Sequence, residues 1–211
     1  MPQQQTPTDA GNGHDGSDDR RFHRLLRYSH IFSAAVREIL EARYLAEVTA
    51  QPLTLPQFHL LKLISMNGKH QVGEVAEFLG VSAPAASKNI DKLERLKLVS
   101  RKQCKGDRRA TLLTASPKGR RLVRKYEDLK ADRLAPILRM FRPEEIDQFA
   151  RLLERFSVHL FAKEQSQDEF CLRCAAYTED HCPVGHVLGN CAYGKIRARE
   201  RASAHREERV S

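Results

Sequence analysis

Apolar residues first recur at helical spacing after Arg20. Phe22, Leu25, Leu26, Phe32, Val36, Ile39 and Leu40 step by three and four, with Ser29 on the same line. This stripe predicts one face of a long helix ending near Thr49, where Gln51-Pro52 interrupts it. The segment LTLPQFHLLKLIS follows, with Thr54 and Gln57 at the spacing of a capping box. Pro56 is tolerated there, because N–H groups of a first helical turn have no partner within the helix. Asn67-Gly68 marks a turn.

The stretch QVGEVAEFLG places Val75, Ala76 and Leu79 at helical spacing and stops at Gly80. Ser82 is an N-cap for the next helix, which carries Pro84 in its first turn and Ile90, Leu93 and Leu96 on its apolar face. Two short helices joined by Leu79-Gly80-Val81-Ser82 read as a helix-turn-helix. Val99–Cys104 and Ala110–Ala115 are short strands flanking Lys105-Gly106-Asp107-Arg108-Arg109, a polar Gly-containing hairpin tip. Ser116-Pro117 then starts another long helix, and Pro143-Glu144-Glu145 a last one with Ile146, Phe149, Leu152, Leu153, Phe156 and Leu160 on one face. The fold class is mainly α with a small β-hairpin wing: a winged helix-turn-helix with long flanking helices suited to dimerisation.

The ends differ from this pattern. Residues 1–19 contain four acids, no base and no apolar block, which predicts a disordered tail and no secretory signal. Residues 20–165 form the expected folded domain, 166–194 a cysteine-rich extension, and 195–211 a charged Arg/Glu/Ala tail. No uncharged apolar stretch reaches the ~20 residues of a bilayer span, so no membrane role is expected. A cytoplasmic location follows as an expectation.

The 211-residue chain has a net charge of +9, from 36 basic and 27 acidic residues. Lys88 through Glu127 holds fourteen bases against Asp91, Glu94, Asp107 and Glu127, so that stretch carries the whole excess. A charge run is usually only a solvated face. Here it coincides with the second helix of a helix-turn-helix and a basic hairpin tip, which favours double-stranded DNA as the partner. No nucleophile–base pairing, phosphate loop or cofactor fingerprint accompanies it, so no enzyme is expected.

The residues Leu53-Thr54-x-x-Gln57-Phe58-x-Leu60-Leu61 and Val75-Ala76-x-x-Leu79-Gly80-Val81-Ser82 belong to a wider pattern. It continues in Ser87-Lys88-x-Ile90-Asp91-Lys92-Leu93, Leu98-Val99, Asp107-Arg108-Arg109 and Ser116-x-x-Gly119. Together they resemble the winged helix-turn-helix of the MarR (multiple antibiotic resistance regulator) family, with the resemblance extending over about residues 20–164. The resemblance implies a homodimeric transcription regulator on a palindromic operator, its recognition helix in the major groove and its wing in the minor groove. Carried onto this chain, it brings Ser82, Ala85, Ser87, Lys88 and Asn89 to the DNA. Of these, Ala85 can touch only a thymine methyl. Asp107 would hold the wing by pairing with an arginine, Arg109 would enter the minor groove, and Arg108 would contact phosphate. Two positions depart from the family pattern: Lys97 stands where Gly is usual, and Arg142 where Thr often caps the last helix. Some family members bind small phenolic effectors, but nothing in this sequence marks such a pocket.

Four of the five cysteines cluster as Cys171-x2-Cys174-x7-Cys182-Pro183-x7-Cys191. In a reducing compartment such clustering points to metal before structural disulfides. Four thiolates complete a tetrahedral Zn²⁺ site or hold a [4Fe–4S] cluster. One close pair plus two separated ligands, one of them followed by Pro, suits iron–sulfur better than the paired knuckles of a zinc ribbon. Zinc and a thiol–disulfide switch stay open as alternatives. His181 and His186 are not needed as ligands, and Cys104 reads as a small packing residue. The preferred reading is a regulator that senses redox state, oxygen or iron through the cluster. The alternatives are a ligand-responsive regulator with structural zinc, and an electron-transfer protein or metalloenzyme docked through the winged helix.

Overall fold

The structure, a computed structural model, describes residues 16–67, 70–79, 82–103, 111–164 and Cys182. The wing tip with Asp107, Arg108 and Arg109 lies outside the described residues, as do Cys104, Cys171, Cys174, Cys191 and the charged tail. The chain divides into two compact units, residues 1–43 and 44–211.

In the first unit, helix α1 spans Gly16–Ala35 and passes into a π-helical stretch, Val36–Arg43. The helix therefore starts four residues ahead of Arg20, within the stretch expected to be disordered. Asp18 and Asp19 explain the earlier start. Both sit in the first turn, where carboxylates face the positive end of the helix dipole. Arg21 pairs with Asp18 at 3.0 Å, and the His23 ring lies 3.4 Å from Asp19. The wider π winding was not expected, because the same three-and-four stripe runs through it. Phe22, Leu25, Leu26, Ile31, Phe32 and Ile39 all remain exposed.

The second unit opens with α2 (Tyr44–Val48) and α3 (Leu55–Asn67). The capping box at α3 forms reciprocally: the Thr54 N–H donates to Gln57 Oε1 at 3.2 Å and the Gln57 N–H to Thr54 Oγ1 at 3.4 Å. Phe58, Leu60, Leu61, Leu63 and Ile64 are all fully buried, so α3 is apolar nearly all round and forms the centre of the core. Strand β1 (His70–Gln71) and helices α4 (Val72–Leu79) and α5 (Ala83–Arg95) follow. Next come strands β2 (Val99–Gln103) and β3 (Thr111–Ala115), and then helices α6 (Pro117–Leu138) and α7 (Pro143–Glu164). The sheet is antiparallel in the order β1-β3-β2, with His70 opposite Leu113 and Arg101 also opposite Leu113 on the other side. The hairpin was predicted, whereas β1 adds a third strand that two residues of sequence do not announce. Val75, Ala86, Ile90, Leu93, Leu98, Val99, Leu113, Leu122 and Tyr126 close around α3, with the Tyr126 ring edge-on to Phe58 at 4.6 Å between centroids.

Helix α5 ends in a Schellman turn. The Leu98 N–H donates to Leu93 O at 2.9 Å and the Lys97 N–H to Glu94 O at 2.8 Å, while Leu93 and Leu98 are both fully buried. The residue that turns the chain is Lys97, at φ 59, the one non-glycine with positive φ among the described residues. Its Cβ there opposes the following carbonyl, a strain of about 1 kcal/mol that glycine lacks. Lys97→Gly is expected to raise stability by about that amount. Urea unfolding checks it, through a higher midpoint at unchanged slope.

Arg142, where no side-chain acceptor is available to cap α7, is compensated from inside the helix. Its N–H donates to Glu145 Oε2 at 2.9 Å and its guanidinium to Oε1 at 3.1 Å. These two bonds, side chain first, hold the Glu145 carboxyl below its usual range.

Candidate nucleic-acid interface

Helix α5 presents one buried face and one open face. Ala86, Ile90 and Leu93 pack inward, while Ala83, Pro84, Ala85, Lys88 and Arg95 are exposed. Ser82 caps the N-terminus, its hydroxyl accepting from the Ala85 N–H at 3.4 Å, with Pro84 in the first turn as the sequence predicted. The N-terminal half of the helix therefore offers Ser82, Ala85 and Lys88 to the outside. Ser87 and Asn89 are half-buried. The Asn89 amide accepts from Gln57 Nε2 at 3.4 Å and donates to Ala85 O at 3.4 Å, so α3 and the first turn of α5 fix its orientation.

The wing is fastened to this helix by a residue that sequence reading passed over. Arg101 lies on the same face of β2 as buried Val99. Its guanidinium pairs with Asp91, lies 3.6 Å from Glu94, and donates to Ser87 O and Oγ at 3.4 Å each. On the opposite face, Ser100 and Thr114 share a hydrogen bond of 2.9 Å across the two strands.

A second set of bonds ties the base of the wing to α6. The Ser116 hydroxyl caps α6 by accepting from the Gly119 N–H at 3.0 Å and donates to Lys97 O at 2.7 Å. The Ser116 N–H bonds Leu98 O at 2.9 Å, and the Lys118 ammonium reaches Leu96 O at 3.1 Å.

The described acids of the basic stretch, Asp91, Glu94 and Glu127, each have basic partners. Asp91 and Glu94 meet Arg101, and Glu127 holds Lys62 and Lys130 at 2.6 Å each. Burial pushes the Glu127 carboxyl up, but the hydrogen bonds from Lys130 and then Lys62 outweigh it and leave it below its ordinary value. Internal pairing of these acids leaves the positive field of Lys88, Lys102, Lys118, Arg121, Arg124 and Lys125, all exposed, largely unopposed. Among the described residues no three His, Cys, Asp or Glu side chains form a metal-binding group, and no helix is long and apolar enough to cross a membrane. Cys182 is half-exposed.

The MarR family model matches residues 53–111, which run from the turn before α3 to the start of β3. Over these residues the chain is similar to the MarR family. The family is one of transcription regulators, not of enzymes. The crystal structure of RV1404 from Mycobacterium tuberculosis is 27% identical over 72% of this chain and 97% of its own, with a TM-score of 0.55. A MarR family protein from Bacillus stearothermophilus is 25% identical, covering 70% of this chain and 99% of its own, with a TM-score of 0.51. Streptococcus pneumoniae FabT, solved in complex with DNA, shares the fold at 19% identity and a TM-score of 0.57, covering 69% of this chain and 99% of its own.

Two features of the MarR pattern acquire physical reasons here. The glycine after the wing, Gly119, has no room for a side chain: a Cβ would stand 2.2 Å from Leu98 O and 3.0 Å from Leu61 Cδ1. The turn after α5 takes a left-handed residue, and this chain places Lys97 there. Of the sequence-predicted DNA residues, Ser82, Ala85, Ser87, Lys88 and Asn89 share α5 and its cap, while Asp107, Arg108 and Arg109 lie outside the described residues. Gln57, read in the sequence only as a helix-cap residue, and Arg101, read only as one base among fourteen, act on Asn89 and Ser87 from neighbouring elements.

Proposed function

We propose that the protein is a homodimeric, sequence-specific DNA-binding transcription regulator that senses redox state, oxygen or iron through a [4Fe–4S] cluster. The observation that carries the DNA reading is the exposed N-terminal half of α5, set beside the β2–β3 wing in the most basic part of the chain. Its match to a family of transcription regulators supports the same reading, as does the FabT structure, which shares the fold and was solved with DNA. In this account α5 enters the major groove through Ser82, Ala85 and Lys88, and the wing carries Arg109 into the minor groove, with Arg108 on phosphate.

Dimerisation is supported by large apolar side chains that are exposed on the described helices. Phe22, Leu25 and Phe32 of the first unit and Phe149, Leu152, Phe156 and Leu160 of α7 are exposed at helical spacing. Stripes of this size on a soluble protein mark interfaces. A dimer would set the two recognition helices at the separation of one DNA turn, about 34 Å.

The cluster reading rests on the spacing of Cys171, Cys174, Cys182 and Cys191 in the segment that follows α7. Cys171, Cys174, Cys182 and Cys191 would hold the cluster, which when bound would supply an oxygen- and iron-sensitive centre in the segment that follows α7.

Arg109→Ala tests the wing. Operator affinity is expected to fall by about 1–3 kcal/mol, as for loss of a groove-reading arginine, in fluorescence anisotropy with a labelled duplex. Unchanged affinity across salt concentrations would remove the wing tip from the mechanism.

A further inference from the structure

We propose that Arg101 is a positioning residue for DNA reading, holding the recognition helix and the wing in one fixed relation. The inference rests on the DNA-binding reading above. Arg101 occupies the inward face of β2, next to the point where Val99 and Leu113 complete the apolar core. Such a position ordinarily takes another apolar residue, since an arginine there gives up hydration. Among the described residues the charged and hydrogen-bonding partners of Arg101 lie on α5. Asp91 and Glu94, three residues apart and therefore on one helix face, both meet the guanidinium. The same guanidinium donates to the main-chain oxygen and the hydroxyl of Ser87, one turn earlier.

Three hydrogen-bond acceptors at Nη2, with the Glu94 carboxylate 3.6 Å from Nε, all on one side of a single helix, fix both its rotation and its distance from β2. A guanidinium suits this task because its donors are held in a rigid planar fork, which an ammonium lacks. The wing strand that carries Arg101 continues toward the wing tip through Lys102 and Gln103. Rotation of α5 would move Ala85 and Lys88 relative to the groove, and displacement of β2 would move the tip. Arg101 thus couples major-groove reading to minor-groove reading without needing to touch DNA itself.

A phosphate contact and a positioning role predict opposite results for the acidic partners. Removing Asp91 and Glu94 takes two negative charges away from a DNA-facing region, which by charge alone strengthens binding to every duplex. As positioning partners, their loss should weaken the operator selectively. The test uses the full chain and a duplex that it selects from a random library, alongside a scrambled duplex of equal length. Arg101→Ala and the double variant Asp91→Asn/Glu94→Gln are both expected to lower operator affinity about tenfold while scrambled-duplex affinity changes by less than about threefold. The salt slope should stay within about 0.3 of the parent's, whereas loss of a phosphate contact lowers it by about 1. Arg101→Lys should restore the charge but only part of the selectivity.

Circular dichroism confirms that each variant is folded, and Asp91→Asn alone replaces any variant that is not. The proposal is overturned if the acid-to-amide variants bind operator as tightly as the parent or tighter. It is equally overturned if Arg101→Ala weakens both duplexes alike with a slope shallower by about 1. Failure of the parent to select any duplex would instead overturn the DNA-binding reading itself.

Discussion

Gly119→Ala is expected to destabilise the protein by about 2–3 kcal/mol, although the change lies in a helix, where alanine ordinarily stabilises by up to about 1 kcal/mol. The opposing term is steric. The added methyl would stand 2.2 Å from the carbonyl oxygen of Leu98, which belongs to backbone and has no rotamer to escape into. That carbonyl also accepts from the Ser116 N–H, and the Gly119 N–H donates to Ser116 Oγ, so relief by shifting α6 breaks the cap and the junction together. Leu61 Cδ1, 3.0 Å from the same Cβ position, closes the remaining direction. A fall of roughly 5–10 °C in the thermal midpoint follows for a chain of this size. Calorimetry showing an unchanged or raised midpoint would mean that propensity outweighs the clash, and that the β3–α6 junction is looser than these contacts require.

The second large effect concerns the cysteines. A cluster lacking one thiolate has an open coordination position, so single replacement of Cys171, Cys174, Cys182 or Cys191 by Ser should abolish metal binding each time. Cys104→Ser should leave the metal in place. Anaerobically purified parent protein is expected to show the broad visible absorption of iron–sulfur, and each of the four variants to lose it. Helical content should survive, because the described core around α3 is built from residues between Tyr44 and Tyr126. Colourless parent protein carrying about one zinc per chain would overturn the iron–sulfur assignment and leave a structural tetrathiolate site.

Local chemistry carried much of the fold into the sequence. Thr54 with Gln57, Ser82 with Pro84, and Ser116 with Pro117 announce three helix starts, because capping needs particular side chains at fixed offsets. The strands β2 and β3 were legible from their length and the polar segment between them. Strand β1 was not, since two residues display no alternation, and its pairing with Leu112 and Leu113 is a tertiary event. The π-helical winding at Val36–Arg43 leaves the apolar stripe unaltered and so has no sequence signature of its own. At the candidate site, exposure of Ser82, Ala85 and Lys88 followed from the amphipathic period of α5. Arg101 did not, because one base among fourteen is distinguished only by facing Asp91 and Glu94 across the gap between strand and helix. Lys97 was legible as a departure from a family pattern, and its positive φ confirms the reason glycine is usual there.

The central claim, that this winged helix reads DNA sequence as a dimer, is tested most directly by selection. The full-length protein is incubated with a library of random duplexes, and the retained DNA is sequenced over several rounds. The account predicts an inverted repeat whose half-sites are centred about one helical turn, roughly 10 base pairs, apart. The selected duplex should bind at least about a thousandfold more tightly than random DNA at physiological salt, with affinity falling steeply as salt rises. Retention of DNA without any enriched motif, or of a single unrepeated half-site by a monomer, would contradict it.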